Sequence, residues 1–402
     1  MRILHVISSA NPAGGGPIEG IQQLRAALTD RGHNVEVASL DGRDAPWLSR
    51  LSIPVIALGP AIHRYRFSPR LVPWLRKHAD AYDIIIVNGI WAYSSFGVWR
   101  ALHKTGRPYV VFTHGMLDPW FKHRYPLKHL RKWLYWPWAE YRVLRDAAAV
   151  IFTCEEERIL ARKSFWLYNV KERVTNYGTK LPPGDPAAQE RAFQSRFPQL
   201  EGKRIVLFMG RIHPKKGCDL AIEAFGRVFA RHADWRLVLA GPDQVGWKHH
   251  LDRVAERSGV TELVTWAGMV QGDVKWGAFR AAEVFLLPSH QENFGIAVAE
   301  ALACGVPPLI SNKVNIWREV EEDGAGLVAE DNVEGATWLL RSWTEMSEEK
   351  RTTMRRHAKA CFEERFAIGK AAASLIRILS SLTVAGTASI HNQIDSTVET
   401  AE

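Results

Sequence analysis

The chain has 402 residues, 47% of them hydrophobic, enough to bury more than one core, so its length favours two domains over one. No apolar run approaches the roughly 18–20 residues that span a bilayer, and the N-terminus enters a glycine loop too early for a signal peptide, so a cytoplasmic protein is expected. The formal charge is +9, and Cys154, Cys218, Cys304 and Cys361 stand far apart without CxxC spacing, which excludes a disulfide framework and a zinc finger.

In chain order, the first half alternates short apolar runs with segments of helical period. Strands are predicted at Arg2–Ile7, Val35–Ser39, Val55–Leu58, Asp83–Asn88, Tyr109–Thr113, Ala148–Thr153 and Val174–Tyr177. In the segment Ile18–Arg31, Ile21, Leu24 and Leu28 share one face of a helix. Nearly all-apolar strands separated by helices imply a parallel sheet covered on both sides. The first strand runs into Asn11–Pro17, whose Gly14, Gly15 and Gly16 suit a tight structural turn or a loop that brings backbone amides to an anion. His114 follows the strand Tyr109–Thr113 and precedes a glycine, at the carboxyl end where doubly wound sheets bind ligands.

The segment Trp120–Arg145 interleaves Lys122, Arg124, Lys128, Arg131, Lys132, Arg142 and Arg145 with aromatic residues and carries a single acid, Glu140. Such a mixture suits an anionic membrane surface, a phosphorylated ligand or nucleic acid. A half-exposed helix with inward aromatics and solvated charges fits it equally well. Leu-Pro-Pro-Gly-Asp-Pro then breaks the pattern, and 181–203 reads as a linker between domains 1–180 and 204–365.

The second domain repeats the plan, with strands at Ile205–Met209, Arg236–Ala240, Val264–Trp266, Val284–Leu287 and Pro308–Ser311. After its first strand, Arg211, Lys215 and Lys216 gather beside Gly210 and Gly217, a cation-rich loop suited to a diphosphate. After Val284–Leu287 comes Pro288-Ser-His-Gln-Glu-Asn-Phe-Gly-Ile, with a helix expected to begin near Phe294–Gly295. Glu292 then precedes that helix and Glu300 lies within it. If both were helical they would stand about 12 Å apart along the axis, outside the roughly 5–9.5 Å of glycosidase acid pairs. Two carboxylates receiving hydroxyls of one long ligand fit better. Farther on, a helix over 366–382 is a candidate for packing back on the first domain, and the polar tail 383–402 is expected to be disordered.

Taken together, Thr113-His-Gly115, Gly210-Arg…Lys216-Gly, Leu287-Pro-Ser, Glu292…Glu300 and Gly305-Val-Pro307 resemble glycosyltransferase family 4, over nearly the whole chain before the tail. The resemblance implies an α/β architecture of the GT-B type: two Rossmann-like doubly wound domains facing a central cleft. It implies retaining transfer of a sugar from a nucleotide-sugar co-substrate, such as a GDP- or UDP-sugar, to an acceptor hydroxyl. By the same resemblance, Arg211 and Lys216 hold the donor diphosphate and Glu300 the ribose. Glu292 with Asn293, Phe294, Gly295 and Ile296 would meet the donor sugar or its phosphate. His114 would lie near the transferred sugar, Gly15 and Gly16 near the diphosphate, and Val270 near the base. His114 and Glu292 are thus the candidate catalytic residues.

No Asp-x-Asp occurs, so no metal and no other cofactor is expected. Val314–Glu319 departs from the family's usual glycine-rich stretch before Pro-Glu, which leaves donor identity open. The expected acceptor is a lipid-linked glycan of exopolysaccharide or surface-polysaccharide assembly. The protein would then be peripheral on the inner face of the membrane through Trp120–Arg145, with no nucleic-acid partner. The rival readings are a basic membrane- or nucleic-acid-binding protein without catalysis, and a phosphorylase or hydrolase on the same fold.

Overall fold

In a computed structural model the chain is described over residues 1–12 and 16–383, the side chain of residue 123 excepted. Gly15 therefore lies outside the described residues, as does the tail expected to be disordered, from 384 on. The chain divides into two compact units, Met1–Tyr177 together with the segment from Ile368, and Gly178–Ala367.

In the first unit, β1 (Arg2–Ile7), β2 (Asn34–Ser39), β3 (Val55–Ala57), β4 (Ile84–Asn88), β5 (Tyr109–Phe112), β6 (Ala149–Phe152) and β7 (Glu172–Val174) form one sheet. Its order is β3-β2-β1-β4-β5-β6-β7, and every pair is parallel. Successive residues of β1 feed opposite cores. Ile3 and Ile7 pack with Ile18, Ile21 and Leu28 of helix Gly16–Thr29, and Leu4 and Val6 with Leu71, Val87 and Val111. Ala372, Leu375 and Leu379 of helix Ile368–Val398 belong to the first of these cores. β7 lies slightly earlier than Val174–Tyr177, because Glu172 is held by Arg158 at 3.0 Å and by Arg162. This edge strand is charged, so no apolar run marks it.

In the second unit, β8 (Arg204–Met209), β9 (Trp235–Ala240), β10 (Val264–Gly268), β11 (Ala282–Leu287), β12 (Pro308–Ser311) and β13 (Leu327–Ala329) pair in the order β10-β9-β8-β11-β12-β13. All of these pairs are parallel too. The linker expected over 181–203 is a correction: it contains helix Pro186–Arg196, which belongs to the second unit. Asp185 caps that helix, accepting from Ala187 N and Ala188 N at 3.3 and 3.0 Å, and Pro186 occupies the first turn, where a missing N–H costs nothing. The proline that read as a breaker is a helix start. Gly277 lets helix Gly272–Ala281 approach it, since a Cβ there would stand 2.0 Å from the Gln189 carbonyl oxygen. The domain boundaries accordingly fall at Tyr177/Gly178 and Ala367/Ile368 instead of 180 and 365.

Each strand order reverses once, between β1 and β4 and between β8 and β11. Parallel strands flanking such a reversal send their following loops in opposite directions and leave a crevice at their carboxyl ends. Residues 8–12 and 89–92 follow the first pair; residues 210–217 and 288–295 follow the second. Arg211, Lys216 and Glu292 stand in the segments that follow the second pair.

Candidate functional site

In the second unit the loop after β8 is shaped by its glycines. Gly241 has φ +147°, and a Cβ there would stand 1.8 Å from the Gly210 carbonyl oxygen, so β8 and β9 can leave the sheet side by side only with glycine. His213 accepts from Lys215 N at 3.0 Å, and Gly217, at φ +66°, turns the chain left-handed into helix Cys218–Phe229. A Cβ on Gly217 would collide with the Pro288 carbonyl oxygen, 2.2 Å away. The loops after β8 and β11 are therefore in contact. His290 N donates to Lys215 O at 2.9 Å, and Lys215 Nζ donates to Gln291 Oε1 at 2.5 Å.

Lys216 forms an ion pair with Glu292, and the two side chains are only 13% and 18% exposed. Burial first, then the adjacent cations Lys215 and Arg211, push the Lys216 ammonium down to about 7. The Glu292 carboxylate in direct contact acts the other way and holds the proton on. Arg211 is exposed and makes no ion pair among the described residues. Arg211, Lys215 and Lys216 against the one carboxylate of Glu292 leave this loop with net positive charge.

Glu292 is clamped by its backbone: its N–H donates to Lys313 O at 2.9 Å, and its carbonyl accepts from Asn315 N at 3.0 Å. Helix Ile296–Ala303 starts where expected, with Gly295 as its N-cap at φ +74°. The first N–H groups of this helix have no partner within it and point back toward the loop. Phe294 is buried, and its ring meets Phe366 edge-on at 5.6 Å between centroids. Glu300 is also buried, and Lys275 Nζ donates to its Oε1 at 2.5 Å. Val270 is half-buried and follows β10 at the same carboxyl edge. Lys275 was missed by sequence reasoning: it sits in helix Gly272–Ala281, and no local pattern ties it to a glutamate twenty-five residues away.

The first unit holds His114 and Gly16. Gly16 is exposed at the start of helix Gly16–Thr29, with no atom within 4 Å of a Cβ built on it. His114 has φ +48°, a left-handed conformation costly for a residue with a side chain, and Gly115 follows at φ +73°. What holds it is Glu157, whose Oε1 accepts from Thr113 Oγ1 at 2.7 Å and Gly115 N at 2.6 Å. Its Oε2 accepts from Thr153 N and Oγ1 at 2.8 and 2.7 Å.

Asn88 bridges two histidines, with Nδ2 3.1 Å from His5 Nδ1 and Oδ1 3.3 Å from His114 Nε2. An amide oxygen only accepts, so His114 donates from Nε2 and keeps the lone pair on Nδ1. Burial, with His5 nearby, pushes His114 down to about 4, so it is neutral at pH 7 and suited to receive a hydroxyl hydrogen. Among the described residues no group of three or more His, Cys, Asp or Glu side chains could hold a metal ion.

Comparison with known proteins agrees with both units. The family model described as "Glycosyl transferase 4-like domain" matches residues 15–178, and "Glycosyl transferases group 1" matches residues 190–360. The D-inositol 3-phosphate glycosyltransferase of Kribbella flavida is 32% identical over 205 residues, 47% of this chain. That match spans 46% of the relative, about half its length. The GDP-mannose:cellobiosyl-diphosphopolyprenol alpha-mannosyltransferase of Xanthomonas oryzae is 25% identical over 346 residues, 84% of this chain and 85% of the relative. Among solved structures, sucrose-phosphate synthase of Thermosynechococcus elongatus superposes with a TM-score of 0.77 at 21% identity, over 96% of this chain and 99% of that one. Anabaena HepE, solved with UDP and glucose, gives 0.73 at 20% identity, over 95% and 100%. At these identities the structures establish a shared GT-B fold.

Proposed function

We propose that this chain, which belongs to the family 4 type of glycosyltransferases, moves a sugar with retention from a nucleotide-sugar donor to an acceptor hydroxyl. One observation carries this reading: the Arg211–Gly217 loop, the partly buried Lys216–Glu292 pair and the start of helix Ile296–Ala303 converge at the β8/β11 crevice. A doubly negative leaving group needs such preorganised cations and N–H donors more than the neutral sugar does, so they favour departure. The acceptor hydroxyl forms its new bond to the anomeric carbon on the face that the diphosphate leaves. Its proton passes to the departing phosphate oxygen.

In this reading Arg211 and Lys216 hold the diphosphate, Glu300 the ribose and Val270 the base, while Glu292 and His114 orient the sugar. Asn293, Phe294, Gly295 and Ile296 supply the backbone around its phosphate. The experiment is to incubate the protein with GDP- and UDP-sugars and a membrane lipid extract, and to follow release of the nucleoside diphosphate. Release from none of the donors sinks the proposal.

Because the charge is met by side chains and amides, activity is expected to survive EDTA and to change little on adding magnesium. Loss of activity with EDTA, restored by manganese or magnesium, would reveal a metal requirement.

The acceptor in this proposal is a lipid-diphosphate-linked glycan, reached at the inner leaflet of the membrane. Its support is helix Pro126–Tyr135, in which no residue is fully buried. Leu127 is 79% exposed and Trp138 69%, and Leu130, Leu134 and Trp166 are exposed as well. Trp136 and Tyr141, by contrast, are buried, so the segment's aromatics are divided between core and surface. Exposed leucines and tryptophans beside Lys128 and Arg131 suit an anionic headgroup layer. The Xanthomonas relative is named for a polyprenol diphosphate acceptor, which fits the same picture. No described helix is long and apolar enough to cross a membrane. The protein should float with anionic liposomes at low salt and stay behind with neutral ones or at high salt. The variant Lys128→Glu/Arg131→Glu should not float. Absence of binding to anionic liposomes at low salt contradicts membrane docking.

A further inference from the structure

A cavity of about 900 Å³ is lined entirely by residues of the first unit. Its floor comes from the carboxyl ends of two central strands: Ile90 and Trp91 follow β4, and Met116 follows β5 two residues beyond His114. Ile90 N donates to the Met116 sulfur at 3.2 Å, and Trp91 Nε1 to Met116 O at 3.3 Å, so the two loops form one surface. Trp91 stands at φ +71°, another left-handed non-glycine residue. Buried Glu140 holds it there, accepting from Trp91 N at 3.1 Å and from Ser95 Oγ. Strain of this kind persists only where surrounding contacts enforce it, and it gathers at ligand sites.

The walls are of two kinds. Tyr65, Phe121 and Tyr135 give an aromatic side; Arg64, Lys128, Arg131 and Lys132 give a cationic one, and no carboxylate is among the lining residues. Lys132 is half-buried, its Nζ 4.3 Å from the Trp91 ring centroid and 5.8 Å from that of Phe121. It has no ion-pair partner among the described residues. Burial, then Lys128, pushes its ammonium down to about 8, with Glu140 acting in the opposite sense. An apolar ligand alone would leave these cations desolvated without compensation. A small anion alone would leave the aromatic walls in water. A ligand that is anionic at one end and apolar beyond it satisfies both.

We propose that this cavity binds the phosphate or diphosphate ester of a lipid, with Lys132 anchoring the anion and the aromatic walls taking the first units of the chain. Its use as the acceptor's subsite, beside His114, rests on the lipid-linked acceptor proposed above. The test is calorimetry on the full chain carrying Lys216→Ala, which removes a cation assigned to the donor diphosphate. The probes are farnesyl diphosphate, farnesol and inorganic diphosphate. Farnesyl diphosphate is expected to bind about tenfold or more tightly than either fragment. Adding Lys132→Gln should cost about tenfold in that affinity, and Lys132→Arg should restore most of it. Equal affinity with Lys132→Gln, or inorganic diphosphate binding as tightly as the lipid ester, overturns the proposal. Lys132-dependent binding of farnesyl diphosphate to a protein that then transfers only to soluble acceptors upholds the site and ends the acceptor reading.

Discussion

Arg211→Ala is expected to weaken donor binding and turnover about 10- to 100-fold while leaving the melting temperature nearly unchanged. A charge-assisted contact to a phosphate is worth about 1.5–3 kcal/mol. Arg211 is exposed and makes no ion pair among the described residues, so little of the fold depends on it. Lys216→Ala should produce a similar loss of donor affinity by a different route. It also strands Glu292, which is only 18% exposed, so this variant should melt at a lower temperature. Isothermal titration with the donor and its nucleoside diphosphate, read beside thermal melts, separates the two cases. Unchanged donor affinity and turnover in both variants contradicts the diphosphate clamp.

The two glutamates are expected to differ in what they lose. Glu300→Ala should weaken the donor and the free nucleoside diphosphate alike, since the ribose is common to both. The effect should be about tenfold or more. Its loss also releases Lys275, now bound to Glu300 at 2.5 Å, into the nucleotide site, so Glu300→Gln is the gentler comparison. Glu292→Gln should act mainly on turnover, because its partner is the reacting sugar and a contact strengthened in the transition state appears in kcat. It also removes the counter-charge of Lys216, whose ammonium should then lose its proton more readily. Steady-state kinetics with donor varied, beside nucleoside diphosphate binding, reads both parameters. A reversed pattern, with Glu292 governing nucleotide affinity and Glu300 only turnover, means that the two roles are interchanged.

The local chemistry of the chain made the sheets legible. Runs such as Ile205–Met209 are apolar because both faces of a parallel sheet are covered, and their shortness and flanking turn residues favour a buried strand over a helix. Elements stabilised by distant partners were hidden. β13 is three half-buried residues whose pairing with β12 no local pattern announces. Helix Pro186–Arg196 carries little amphipathic signal because only Gln189 and Phe193 are buried, so the proline at its start reads as a break.

The site divides in the same way. Arg211, Lys216, Glu292 and Gly295 stand in two short stretches whose glycines and charges mark them. Their supports come from elsewhere in the chain. Glu157 fixes Gly115 from forty-two residues away, Asn88 sets the tautomer of His114, and Lys275 neutralises Glu300. A sequence states which groups are present at a loop; the fold decides which of them have partners left to find.

Thermal shift of the full chain against a panel of nucleoside diphosphates and their sugars tests the central claim most directly, since a ligand bound to the native state raises its melting temperature. One nucleoside diphosphate and its sugar should raise the melting temperature of the parent protein and fail to raise that of the Arg211→Ala/Lys216→Ala variant. A folded parent protein that responds to no member of the panel, or a double variant that responds as the parent does, would contradict a donor site at the β8/β11 crevice.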